Sequence, residues 1–172
     1  QREGELTKVV SSEEEYLARV EKLRSAIPKS PPENNKPKLS VLVGNPEGLK
    51  AALEGGADQI YLNWVGLKNK PIFNLDNIRE CIELCKKQRV KAIVTLPRLV
   101  SEQGLNKLGN DLEKIKKYDL DGLLTGNLGV LNLAHQLGFK NIYADYTLNI
   151  FNDYTIGKLA DSHIVQATLS PE

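Results

Sequence analysis

Residues 38–62, KLSVLVGNPEGLKAALEGGADQIYL, read as a strand, a helix and a second strand. Lys38–Val43 is a short apolar run with a polar corner after it. Asn45 suits a helix cap, and Pro46 suits the first helical position, where its missing N–H leaves no gap in the hydrogen bonding. Leu49, Ala52 and Leu53 then form one apolar stripe at helical spacing, and Gly55-Gly56 ends it. Gln59–Leu62 is the second apolar run. A helix between two short apolar strands is the crossover that parallel neighbours require.

Outward from this stretch the same unit recurs. Further strands are predicted at Lys91–Leu96, Gly122–Thr125, Asn141–Ala144 and His163–Leu169. The second helix, capped by Asn74 or Asp76, runs through Asn77–Lys87. The third carries Leu105, Leu108, Leu112 and Ile115 and ends near Lys116-Lys117. A short helix at Val130–Leu137 stops at Gly138, and Asn152 or Asp153 starts the fifth, through Ile156 and Leu159. Six parallel strands with five crossovers fit an open doubly wound sheet or six-eighths of a closed barrel. The units are equal and show no reversal of strand order, so the α/β reading preferred is a partial (β/α)8 TIM-like barrel over residues 38–172. Residues 1–37 differ: Ser11-Ser12-Glu13-Glu14-Glu15 starts a helix over Ser12–Ala26, and Pro28, Pro31, Pro32 and Pro37 make an extended linker. This helix is expected to be the tail of a preceding domain, or else a cover for the open end of the sheet.

The chain has 172 residues, 41% hydrophobic and 26% charged, which suits a globular domain with a sizeable core. Its net charge of +1 gives no global field to draw in nucleic acid or a membrane surface. No apolar run reaches the length of about eighteen residues that marks a membrane-spanning helix, and no signal-peptide pattern is visible, so a cytoplasmic protein without a membrane partner is expected. Methionine is absent and the first residue is Gln1, which reads as a piece of something longer. Cys81 and Cys85 stand four residues apart on one helix face beside Ile78 and Ile82. That is the place of small core residues and a poor spacing for a metal or a disulfide.

Parallel α/β proteins gather their chemistry at the carboxyl ends of the strands. The candidate site residues are the polar groups at those ends. They are Asn45 after the first strand; Asn63 and Trp64 after the second; Thr95, Pro97 and Arg98 at the third; Asn127 after the fourth; Asp145, Tyr146 and Asn149 after the fifth; and Ser170 and Glu172 after the sixth. Asn152, at the start of the last helix, joins them. Asn45 equally fits a plain cap, Asn127 a turn before Leu128-Gly129, Arg98 a surface pair with Glu102, and Asp145 a loop-starting turn. Gly44-Asn45-Pro46-Glu47-Gly48 fails the spacing of a dinucleotide loop, and GxxxxGK[ST], HExxH and GxSxG are absent. His135 falls on a helix surface, and His163 opens the last strand at the end away from the rim.

The ordered phrases Leu42-Val43-Gly44-Asn45-Pro46-Glu47, residues 51–62 (AALEGGADQIYL) and Ala92-Ile93-Val94-Thr95-Leu96-Pro97-Arg98 resemble the U32 peptidase family, also called collagenase-like protease. Residues 121–131 (DGLLTGNLGVL), 145–152 (DYTLNIFN) and Thr168-Leu169-Ser170-Pro171-Glu172 extend the resemblance from about Lys38 to Glu172. "DYTLNIFN" looks most like the second, C-terminal barrel segment of long family members. Asn149, Asn152 and Glu172 match phrases that recur in the family.

The resemblance implies a (β/α)-barrel scaffold of the bacterial or archaeal cytosol with a peptidase label, binding its substrate at the strand carboxyl ends. Related proteins take part in hydroxylation of transfer RNA, ribosomal RNA or quinone precursors, often with an iron–sulfur cluster. The family's cluster cysteines fall after the strand ending here in "LSPE", so no cofactor is expected in this chain. The catalytic residues stay unknown, and the piece alone is expected to be inactive. The rival reading is a non-catalytic or RNA-binding module of an RNA-modifying enzyme, with Lys86, Lys87, Arg89, Lys91, Lys114, Lys116 and Lys117 as its basic residues. The expected partners are the remainder of the parent protein, a peptide or RNA substrate, and a second copy meeting exposed sheet edges.

Overall fold

In the computed structural model, residues 13–26, 36–64, 73, 75–160 and 162–171 are described. Two units separate at residue 38. The first contains helix α1 (Glu13–Ala26); the cap expected at Ser12 and most of the proline-rich stretch lie outside the described residues. The second holds strands β1 (Ser40–Val43), β2 (Gln59–Asn63), β3 (Lys91–Thr95), β4 (Gly122–Thr125), β5 (Ile142–Ala144) and β6 (Ile164–Ala167). Helices α2 (Pro46–Glu54), α3 (Leu75–Lys87), α4 (Glu102–Ile115), α5 (Leu128–Gln136) and α6 (Asp153–Ala160) link them in turn.

All six strands form one parallel sheet in the order β1-β2-β3-β4-β5-β6. A doubly wound sheet reverses its order at a switch point. This one never does, so the architecture is that of an unclosed barrel wall.

Among the described residues, four of the five crossover helices start where a side chain supplies the missing acceptor. Asn45 Oδ1 accepts from the Gly48 N–H at 2.7 Å, Ser101 Oγ from Gly104 at 3.2 Å, Asn127 Oδ1 from Val130 at 3.1 Å and Asn152 Oδ1 from Thr155 at 2.8 Å. Asn74 lies outside the described residues, and Asp76 falls inside α3. Helix α5 begins two residues before the Val130 that periodicity proposes, because the Asn127 cap fixes its start. Helix α2 ends on Gly56 with φ 79°, a left-handed conformation that glycine adopts at no steric cost.

One sheet face is apolar and covered by helices. Ile60, Leu62, Ala92, Val94, Leu123 and Ile142 pack there against Leu49, Leu53, Ile78, Ile82, Leu112, Ile115 and Val130. Side chains alternate across a strand, so Tyr61, Ile93 and Tyr143 take the opposite, inner face. The rings of Tyr61 and Tyr143 meet edge-on with centroids 6.3 Å apart. Gly122 makes the room: a Cβ there would stand 2.6 Å from Tyr143 Cε2 and 2.6 Å from Asn141 O.

The last strand is shorter than the predicted His163–Leu169. His163 has φ 50°, outside the extended region, so it turns the chain into the strand. A register shift lies between Ile142 and Tyr143, and Leu169 is exposed beyond the ladder.

Candidate functional site at the strand carboxyl ends

Because every strand is parallel, the strand carboxyl ends share one rim, and some of the described residues that follow them meet there. Arg98, on the loop after β3, crosses the end of β4 to reach Asp145, which follows β5. Its Nε stands 3.0 Å from Asp145 Oδ2. Its Nη1 donates to Tyr146 Oη at 2.8 Å, and the guanidinium carbon sits 4.6 Å from the centre of the Tyr146 ring. Asn127 Nδ2 donates to Arg98 O at 3.0 Å, so the side chain that caps α5 also pins the arginine's backbone. The alternative surface pair of Arg98 with Glu102 gives way to this arrangement, since Asp145 is buried and offers a less solvated anion.

Asp145 itself is engaged on both oxygens. Its Oδ1 accepts the Tyr146 N–H at 2.9 Å, and its Oδ2 accepts the Thr147 hydroxyl at 3.1 Å beside the arginine. Its own N–H donates to Thr125 O at 2.9 Å and fixes it to the end of β4. Thr147 is the member that sequence reading missed. The signal was Gly126, one strand over: a Cβ there would come within 1.8 Å of Thr147 Oγ1.

The other candidates have separate duties. Asn63 and Thr95 face each other across β2 and β3, Thr95 Oγ1 lying 3.3 Å from Asn63 Oδ1 and donating to Leu62 O at 3.0 Å. Asn45 is spent on its cap, as is Asn152, whose Oδ1 takes both the Thr155 N–H and hydroxyl. Asn149 holds φ 54° at the end of the Tyr146–Leu148 turn, a conformation asparagine tolerates better than most residues. Trp64 is a core residue, 6% exposed. The Ser170 N–H donates to Ile150 O at 2.8 Å. Glu172 lies outside the described residues. His135 and His163 approach to 5.3 Å at the far end of the sheet, where His135 Nε2 lies 2.7 Å from Ser162 O.

Beside the Arg98–Asp145 pair lies a cavity of about 600 Å3. Gly126, Asn127 and Thr147 belong to both, and Leu128, Leu148 and Lys158 line its farther side.

Cys81 and Cys85 are both buried between α3 and the sheet, and burial pushes the Cys85 thiol up to about 12. Several of the basic residues are tied into local partners: Lys86 pairs with Asp119, Lys114 with Asp111 at 3.2 Å, and Lys116 donates to Leu137 O.

A collagenase of Porphyromonas gingivalis is 22% identical over 114 residues, which cover 64% of this chain and 27% of that protein. An uncharacterized protease, MJ0090, of Methanocaldococcus jannaschii is 26% identical over 110 residues, covering 62% of this chain and 27% of that one. The chain thus spans about a quarter of the length of these relatives. The solved structure of the U32 peptidase Mk0906 overlays with a TM-score of 0.47 at 13% identity, covering 78% of this chain and 68% of that chain. The model of peptidase family U32 matches residues 44–172, three-quarters of the sequence, and the chain belongs to that family.

Proposed function

We propose that this chain holds a peptide substrate of a U32-type peptidase at the carboxyl ends of β3, β4 and β5. The observation that carries the proposal is the Arg98–Asp145 pair spanning the end of β4, with Tyr146, Asn127 and Thr147 fixing both partners. Strand-end side chains converging from separate units are how barrels build sites. Asp145 acts here as a positioning group: its oxygens already accept from Tyr146 and Thr147 and face a guanidinium, so it is poorly placed to take a proton from water. Holding substrate and turning it over are therefore separate tasks, and turnover draws on residues of the whole protein beyond this chain.

Titration of the chain with labelled peptides tests this, starting with glycine- and proline-rich ones because one relative is named a collagenase. Saturable binding is expected, weakened at least about tenfold by Asp145→Asn, which leaves Arg98 without its charged partner. No cleavage by the chain alone is expected. Unchanged binding by a folded Asp145→Asn variant, or turnover by the wild-type chain, would overturn the proposal.

A further inference from the structure

We infer that Arg98 is a receptor for a carboxylate of the bound peptide; this rests on the peptide reading above and narrows it. An arginine pairing with an acid only to neutralise it would turn its full fork toward that acid. Arg98 does not. Asp145 meets Nε, Tyr146 Oη meets Nη1, and among the described residues nothing accepts from Nη2. A guanidinium carries five N–H donors and no acceptor, so Nη2 keeps two donors free while the side chain is half exposed, at 51%.

The group is also held still. Its carbon sits 4.6 Å from the centre of the Tyr146 ring, the Tyr146 hydroxyl and Asp145 engage two of its nitrogens, and Asn127 holds its main chain. Ordering a long side chain before the ligand arrives lowers the entropic cost of binding. Asp145 does not cancel this design, because the Tyr146 N–H and the Thr147 hydroxyl share its charge. A planar carboxylate matches planar guanidinium donors, whereas an ammonium in the same place would act only as a point charge. The cavity is lined by Asn127 and Thr147, which contact Arg98 and Asp145, and would take the residue that bears the carboxylate.

The test uses the full chain and three labelled forms of one peptide: a free C-terminus, a C-terminal amide, and the amide with an added glutamate. Acetate, followed by NMR shifts of the rim amides, is the fourth probe. We expect the free-acid or the glutamate form to bind at least about tenfold more tightly than the neutral amide. Which of the two wins identifies the terminus or a side chain as the source of the carboxylate. Arg98→Gln should erase the difference, and Arg98→Lys should restore only part of it. Tyr146→Phe, which keeps the ring and removes the hydroxyl, should reduce it several-fold while thermal melting confirms the fold. Equal binding of all three peptides, unchanged by Arg98→Gln, would overturn this inference and leave the peptide reading standing. Acetate shifts that vanish in Arg98→Gln, with no peptide binding at all, would support the carboxylate receptor and overturn the peptide reading. Silence from every probe would overturn both.

Discussion

Glycine positions at the rim carry the sharpest consequences for single substitutions. Gly126 leaves the volume that Thr147 needs to donate to Asp145. Gly126→Ala is therefore expected to push Thr147 aside and cost about 1–3 kcal/mol, read as a lower denaturation midpoint at unchanged slope. Cys85 makes a different prediction. Its folded thiol is raised from 9.0 to about 12 by burial, so below pH 9 both folded and unfolded forms are protonated and stability is intact. Above pH 9 the unfolded chain ionises first, and stability falls by at most about 1.4 kcal/mol per pH unit until the folded thiol also titrates. Tyr61 and Tyr143 are raised in the same direction, chiefly by burial, and add to the loss above their ordinary value of 10.0. Urea denaturation at stepped pH between 8 and about 11 should show the decline, and Cys85→Ala should flatten its first part. A stability that rises over that range would contradict the burial of these groups.

At the scale of elements, some caps were legible and their second uses were not. Asn45 and Asn152 are recognisable as helix starts from sequence and both cap, whereas Asn127, which reads as a turn before Leu128-Gly129, also caps a helix. That Asn127 also binds Arg98 O depends on how closely the β3 loop approaches the end of β4, which no local pattern encodes. The two roles predict different losses. Asn152→Ala should cost about 1 kcal/mol, the ordinary worth of a cap, and leave ligand binding unchanged. Asn127→Ala should cost the same cap energy in urea denaturation and additionally weaken peptide binding through Arg98. Equal binding by the two variants would mean that Asn127 does nothing for the arginine. The last strand shows the opposite case: its apolar residues are plain in the sequence, yet its length is cut by the left-handed turn at His163 and the register shift beside Tyr143.

Over the whole molecule, the parallel sheet leaves β1 and β6 with one neighbour each. The surface near β6 is apolar: Phe151 is 65%, Val165 55% and Leu169 59% exposed. An unpaired strand edge beside apolar side chains is a template for association. We expect the chain to self-associate as its concentration rises, and Val165→Lys with Leu169→Lys to shift the light-scattering mass toward the monomer. A concentration-independent monomer in the unmodified chain would count against that edge as an interface.

The sequence by itself determined the repeating strand–helix unit, the parallel sense, the rim at which polar residues collect and the family. These follow from alternation, helical spacing and capping, all of which act over a few neighbouring residues. Tertiary structure alone decided which rim residues meet. Arg98, Asn127 and Asp145 come from three different units, and only the lateral spacing of β3, β4 and β5 brings them within hydrogen-bonding range while leaving Asn45 and Asn152 to local tasks.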